Sequence, residues 1–377
     1  MRLTGAALTY LPTLLAAFIA AALLALVLTP LVKRVAIALD NIDHPDHRRV
    51  NEHPIPRGGG IAVAVAFLLV AGVGVAINAQ TGGVPVPSGI NAPELVGLVA
   101  GGLVATILGV LDDTWQLRAR WQFMGQALLA VIAVGSGLLI DTINNPFGPA
   151  SIRLDGPYAV GFTALWVVGM INSINFIDGL DGLSSGIALI AAGTLGLISI
   201  TTFNQPFIGI LCFALAGALL GFLRWNFHPA SIFIGTSGVM FVGYTLAVLS
   251  ILGTAKIAVA LLVLGVPIID TFWIIVRRLA SGRSPFTPDR GHIHHRLLDL
   301  GLSHSQTVLA IYAICISLGV MTFILSGSGQ LYAFLGLALL FGLGLFVIAR
   351  GETSDALEAD TYEGSAPPAG EDRPTAP

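Results

Sequence analysis

The sequence predicts an all-α, polytopic bundle of membrane-spanning helices, and three observations carry that expectation. Of 377 residues, 55% are hydrophobic and only 10% charged, against roughly a quarter charged in a soluble globular domain. The mean hydropathy is +0.86. The apolar residues also arrive in runs of about 20, the length an α-helix needs to cross a hydrocarbon core of about 30 Å. A net charge of −3 with a pI near 6.2 gives no support for a nucleic-acid partner. Cys212 and Cys315 both lie inside apolar runs, so no disulfide framework, zinc ribbon or redox pair is available.

Eleven spans follow: 7–32, 59–78, 94–111, 121–141, 159–174, 183–202, 206–223, 236–253, 256–276, 306–326 and 330–349. The first run follows only Arg2 and is far longer than a signal-peptide core, so it is read as a retained span. The connection after the second span, 79–93, is rich in Gly, Pro, Ser and Asn, and 144–158 holds Pro146, Pro149 and Pro157; both read as turns. The fifth span runs into a polar, glycine-punctuated segment, and the ninth ends at Arg277-Arg278. Residues 1–349 form one membrane domain. The tail, 350–377, carries seven acids among Ala, Pro and Gly and is expected to be a solvated, disordered segment.

An odd number of spans places the termini on opposite sides, and the basic residues decide which is which. One set of loops holds Lys33, Arg34, Arg48, Arg49, Arg57, Arg118, Arg120, Arg224 and the basic residues of 277–296, with Arg350 and Arg373 in the tail; the other holds only Arg2, Arg153 and Lys256. The N-terminus is therefore expected outside and the C-terminus in the cytoplasm, with the chain in the plasma membrane. All eight histidines fall on the cytoplasmic side. Charge bias alone does not require this, and histidine near neutrality is a proton carrier, phosphate partner or metal ligand, so chemistry is expected at that face.

Four segments carry candidate chemistry. The third span ends in Asp112-Asp113: adjacent carboxylates at the end of an apolar helix are costly without a cation, and Mg²⁺ prefers such oxygen ligands, although solvated loop charges give the same dipeptide. The fifth ends in Asn172-x-x-Asn175-x-x-Asp178-Gly179-x-Asp181-Gly182. Steps of three turn about 60° backwards on a helix, so one unbroken helix cannot aim all four polar groups at one point. Gly179 and Gly182 are expected to break it, with Asp178 and Asp181 folding over the pocket that Asn172 and Asn175 face. The alternative is a helix end with solvated acids.

The long loop after the ninth span contains Asp289-Arg290-Gly291-His292-Ile293-His294-His295-Arg296, suited to an anion of high charge density. Zinc held by Asp289, His292 and His295 is the competing reading. The first loop joins Arg48, Arg49 and Arg57 to Gly58-Gly59-Gly60 before a helix, where backbone N–H groups favour a phosphate; a purely topogenic loop reads the same. Asp270, within the ninth span, is a candidate by position, or a partner for a polar group on a neighbouring helix.

Together these pieces resemble the polyprenyl-phosphate N-acetylhexosamine-1-phosphate transferases, glycosyltransferase family 4. The carriers are Asp112-Asp113, the Asn172 to Gly182 segment, Pro56-Arg57-x-Gly59-Gly60 and His292-Ile293-His294-His295-Arg296, in family order over roughly residues 30–310. The Pro-Asp-Arg-x-His-x-His-His form is similar to the branch that uses UDP-N-acetylglucosamine; the branch taking UDP-N-acetylmuramoyl-pentapeptide is the alternative.

The resemblance implies that a lipid phosphate oxygen attacks the β-phosphorus of a UDP-sugar, giving a lipid-diphospho-sugar and UMP. It implies Mg²⁺, with Mn²⁺ as the alternative ion, held by some of Asp112, Asp113 and Asn175. His292, His294, His295 and Arg296 would hold the remaining diphosphate oxygens, Asp178 and Asp181 would contact the nucleotide sugar, and Arg48, Arg57, Asn172 and Arg290 would join the substrate and phosphate contacts. Asp112 is alternatively the group that orients or deprotonates the lipid phosphate. The implied partners are a UDP-sugar, a polyprenyl phosphate and the bilayer, and a homodimer is compatible with them. Two positions depart from the family pattern: Asn51 stands where the family often has His, and, more consequentially, where a Gly-Asp-x-Gly-Ser segment normally supplies a Mg²⁺ ligand this chain has Gly235-Thr236-Ser237-Gly238-Val239. An inactive nucleotide-sugar or lipid-phosphate binder is therefore a second reading, and an ion-coupled transporter using Asp270 a third.

Overall fold

The computed structural model describes residues 5–44, 53–143, 145, 148, 151–253, 257–282, 292–325, 328–340 and 342. It divides into a main unit, Met1–Phe334, and a second, Leu335–Pro377. The expected acidic tail lies outside the described residues. In order, the helices are α1 (Gly5–Ala38), α2 (Gly60–Thr81), α3 (Ala92–Trp115), α4 (Ala119–Gly135), α5 (Pro157–Ile177), α6 (Leu183–Thr201), α7 (Pro206–Asn226), α8 (Gly235–Leu252), α9 (Ile257–Val263), α10 (Gly265–Ala280), α11 (Ile293–Asp299) and α12 (His304–Ile324). A further apolar helix, α13, covers Ser328–Leu340. Two short antiparallel pairs, β1 (Ile42–Asp43) with β2 (Ile55–Pro56) and β3 (Thr142–Ile143) with β4 (Ile152–Arg153), close connections between helices.

Among the described residues, eight helices are long and apolar enough to cross a membrane, namely α1, α2, α3, α5, α6, α7, α8 and α12. The chain is an all-α, multi-pass membrane protein. Ten of the eleven expected spans coincide with a helix or a helix pair, and two of these differ from a simple crossing. The ninth is broken: α9 and α10 meet at 81°. Pro267, in the first turn of α10, has no N–H to extend the hydrogen-bond ladder of α9, so the apolar run continues while the helix axis does not. The fourth is short, since α4 has 17 residues and the chain turns at Gly137, whose φ is 87°, before the apolar run is finished. The eleventh is described over α13 only.

Burial sorts the helices. In α1 only 17% of the apolar window is buried, against 83% in α8. Leu11, Leu15, Ile19, Leu23, Val27 and Leu31 are exposed along α1; steps of four turn about 40° each, so this row winds slowly around the helix and is suited to lipid. α8 is the core of the bundle, wedged among α2, α3 and α5. Its first turn is packed backbone to backbone: a Cβ on Gly109 would stand 2.2 Å from the Cα of Ser237, and one on Gly60 2.0 Å from that of Gly238. Small residues permit this approach. Tyr244 then donates to the carbonyl of Gly97 at 2.8 Å, tying α8 to α3.

The ends of α1, α3, α5, α7 and α10 and the starts of α2, α4, α6, α8 and α12 gather at one end of this bundle. The register of β1 and β2, with Asp43 opposite Ile55, brings the stretch before α2 to the same place.

Candidate active site

A cavity of about 350 Å³ opens at that end, and Arg57, Asp113, Asn175, Asp178, Asp181, Thr236, His295 and His304 are among its lining residues. Asp113 enters from the last turn of α3. Its Oδ1 accepts the N–H of Thr236 at 2.7 Å and its Oδ2 that of Ser237 at 3.0 Å. The first N–H groups of a helix have no partner within it and carry the positive end of its dipole, so a carboxylate from another helix is well placed there.

The break expected after Asn175 is present. α5 ends at Ile177, Gly182 adopts a φ of 79°, and α6 begins at Leu183. Asp178 accepts the hydroxyl of Ser184 at 2.5 Å. It keeps some contact with the cavity, yet it is recessed enough that desolvation pushes its carboxyl up to about 7; the charges of Asp113 and Asp181 add to the rise, while the Ser184 hydroxyl and Arg57 oppose it. Asp181 accepts the N–H of Ala230 at 3.0 Å, and the same Oδ2 lies 2.8 Å from His228 Nδ1. Arg57 is paired with Asp43.

The histidine segment is built on α10 and α11. Asp270, fully buried in α10, receives the N–H of Ile293 at 2.9 Å and lies 2.7 Å from His292 Nδ1. The rings of His292 and His294 stack with centroids 5.4 Å apart, and those of His294 and His295 lie 4.4 Å apart. His294 is buried against the α5–α6 turn, where a Cβ on Gly179 would come within 2.1 Å of its Nε2. Burial holds its pKa well below 6.5, helped by the positive charge that His295, His292 and His304 can carry. The ring is therefore neutral at physiological pH.

Not every expected residue reaches the cavity. Asp112 does not line it: Oδ1 accepts the N–H of Leu117 at 3.0 Å and the side-chain amide of Gln122 at 2.8 Å, joining α3 to α4. Neighbouring helical residues point about 100° apart, so the two acids serve different surroundings. Asn172 is likewise occupied elsewhere, donating to Gln126 at 2.7 Å and to the Val168 carbonyl at 2.8 Å. Arg296 is buried on α11 and lies outside the cavity lining. Arg48 and Arg290 lie outside the described residues, as does Asp289, which the zinc reading required. Conversely, Asp43, Asn226 and Phe233 line the cavity although no local motif announced them; His228 and His304 were visible only as members of the one-sided histidine set.

Comparison with known proteins places these residues in a family. The model of "Glycosyl transferase family 4" matches residues 95–254. The chain is 36% identical over 305 residues to the probable undecaprenyl-phosphate N-acetylglucosaminyl 1-phosphate transferase of Bacillus subtilis (strain 168), covering 79% of this chain and 81% of the relative. This chain belongs to glycosyl transferase family 4. A decaprenyl-phosphate N-acetylglucosaminephosphotransferase of Mycolicibacterium smegmatis is 33% identical over 357 residues, 87% of this chain and 86% of the relative. The undecaprenyl-phosphate alpha-N-acetylglucosaminyl 1-phosphate transferase of Salmonella typhi is 29% identical over 293 residues, 74% and 75% of the two chains. The matched segment of this family 4 member runs from α3 to the end of α8, and so includes Asp113, Asn175, Asp178, Asp181 and Thr236.

Proposed function

We propose that the protein transfers N-acetylglucosamine-1-phosphate from UDP-N-acetylglucosamine to a polyprenyl phosphate, releasing UMP. The observation that carries this reading is the convergence of Asp113, Asn175 and Asp178 on one cavity at the polar end of a membrane bundle, in a chain whose relatives are named for that transfer. Phosphoryl transfer asks for positioning and charge neutralisation more than covalent participation. The reading also places this end at the cytoplasmic face of the plasma membrane, with the N-terminus outside, because the basic residues concentrate on the loops of this end.

The donor set fits Mg²⁺: two carboxylates, the Asn175 amide and the Thr236 hydroxyl are all oxygen donors, as a hard cation prefers. Asp113, Asn175 and Asp178 would hold it, and when bound it supplies neutralising charge to the diphosphate. Asp181 orients the donor at the cavity mouth, His295 donates to phosphate oxygens, and Asp270 with the neutral His294 keeps the histidine segment in place. A phosphate monoester is largely dianionic near neutral pH, its second pKa being about 6, so the attacking oxygen needs no side-chain base.

The test is UMP release from UDP-N-acetylglucosamine by the purified protein in vesicles containing polyprenyl phosphate. Release that depends on both Mg²⁺ and the lipid is expected. No release with Mg²⁺ or Mn²⁺ sinks the reading. Thr236 motivates the second one, an inactive donor-binding homologue, whose signature is UDP-N-acetylglucosamine binding without turnover.

A further inference from the structure

A second cluster of ligand-type side chains sits beside the proposed catalytic residues. Asp181 comes from the α5–α6 turn, His228 from the segment after α7, and His304 is the first residue of α12. One ligand atom from each lies within 4.8 Å of the other two. The rings of His228 and His304 stack with centroids 4.1 Å apart and planes 17° apart. The Nε2 of His304 is buried and has no hydrogen-bond partner among the described residues, which is costly for an imidazole nitrogen unless something fills its lone pair. His304 also leans on the backbone carbonyl of Asp181, the outer-shell contact that commonly fixes the ring of a metal-ligating histidine.

We propose that Asp181, His228 and His304 form a binding site for a divalent first-row transition ion, Zn²⁺ being the representative. Two imidazoles and one carboxylate suit such ions and do not suit Mg²⁺, which takes oxygen ligands; the site is thus chemically distinct from the one assigned to Asp113, Asn175 and Asp178. The 2.8 Å between His228 Nδ1 and Asp181 Oδ2 is what two ligands at about 2.0 Å from one ion subtend at about 90°. With three protein ligands, positions remain open for water.

Location gives the site a consequence. Asp181 and His304 line the catalytic cavity and also a neighbouring one of about 800 Å³, whose walls include Lys33, His53 and Pro56. The cluster stands where the two cavities meet, and His228 is exposed enough for an ion to arrive from solvent. A bound ion staples the α5–α6 turn to α12 and removes Asp181 from the donor. Zn²⁺ should therefore inhibit transfer in competition with UDP-N-acetylglucosamine; this consequence rests on the function proposed above, whereas binding itself does not.

The experiment uses the full-length, tag-free protein, treated with chelator and titrated with Zn²⁺ by calorimetry and with Co²⁺ by visible absorption, Mg²⁺ being held in excess. One tight equivalent of Zn²⁺ and a Co²⁺ spectrum with nitrogen ligation are expected. His228→Ala and His304→Ala should each weaken Zn²⁺ binding by more than about 100-fold, the upper end of what losing even an outer-shell contact costs. His228 is at the surface, and thermal unfolding of its metal-free variant should match the wild type, which separates ligation from folding. Zn²⁺ binding no tighter than that of Mg²⁺, or unchanged in His228→Ala, overturns the site. Zinc binding without any transferase activity overturns the function and leaves the site standing; transfer that shows no specific zinc binding does the reverse.

Discussion

Asp270 holds His292 from inside the bundle: its Oδ2 lies 2.7 Å from His292 Nδ1 while its Oδ1 accepts the N–H of Ile293 at 2.9 Å. One buried carboxylate thus fixes a histidine ring and the first turn of α11 together. A ring nitrogen engaged in this way commits the opposite nitrogen to a defined direction and role. The position that reads in the sequence as a candidate ion-coupling acid is, in the fold, the anchor of the histidine segment, which removes the main argument for a transporter.

Replacing Asp270 by Asn should lower UMP release without abolishing it, since an amide oxygen still accepts one of the two bonds. Leaving a buried partner unsatisfied costs about 1–3 kcal/mol, so the thermal midpoint should also fall. Asp113→Asn should remove turnover entirely. Equal losses in the two variants would show that Asp113 is not at the reacting centre.

Asp178 makes stability depend on pH in a predictable direction. Its carboxyl is raised to about 7 from an ordinary 3.8, so its contribution is fully present below about pH 4 and is lost as pH rises through 7. Between pH 8 and pH 5.5 the ligand-free wild type should therefore gain stability that Asp178→Asn lacks. Apparent unfolding temperatures of the two proteins, measured in parallel at both pH values, check this. Parallel pH profiles would contradict it. A divalent cation that engages Asp178 should flatten the wild-type profile.

Gly179→Ala places a methyl group 2.1 Å from His294 Nε2, and the buried ring has nowhere to go. Overpacking of this kind costs about 1–3 kcal/mol, and UMP release should fall by at least about tenfold. Gly169→Ala, in α5 where no described residue beyond its own helical backbone lies within 4 Å of the added carbon, should behave as wild type. A fully active Gly179→Ala would mean that the turn and the histidine segment are not locked together.

Thr236→Asp keeps the backbone N–H that Asp113 accepts and adds a carboxylate to the cavity. The Mg²⁺ concentration for half-maximal activity should drop by roughly an order of magnitude, about 1.4 kcal/mol in affinity. Without Mg²⁺ the variant should unfold at lower temperature, because a further negative charge joins Asp113 and Asp178. An unchanged Mg²⁺ requirement would place the ion away from Thr236.

Much of the fold could be read from hydropathy, because within the described residues the apolar runs became helices or, once, a helix pair; what a run does not encode is whether its axis stays straight, and Pro267 is where it fails. The Asn175 to Gly182 break was legible because threefold spacing and paired glycines left no single-helix solution. Asp112 and Asn172 were not, since their directions are settled by Gln122 and Gln126 on α4, a helix whose rotation the local sequence does not state. The meeting of Asp181, His228 and His304 depends on three separate connections and has no local signal beyond the one-sidedness of the histidines.

The pairing of Asp113 with Thr236 and Ser237 has a consequence for molecular recognition. The natural seat for an anion at the start of α8 is already filled by the protein's own carboxylate. Main-chain amides there cannot welcome a phosphate unless Asp113 leaves. Selectivity among phosphorylated ligands therefore falls to replaceable side chains, and a few substitutions around the cavity can redirect it while the scaffold stays unchanged.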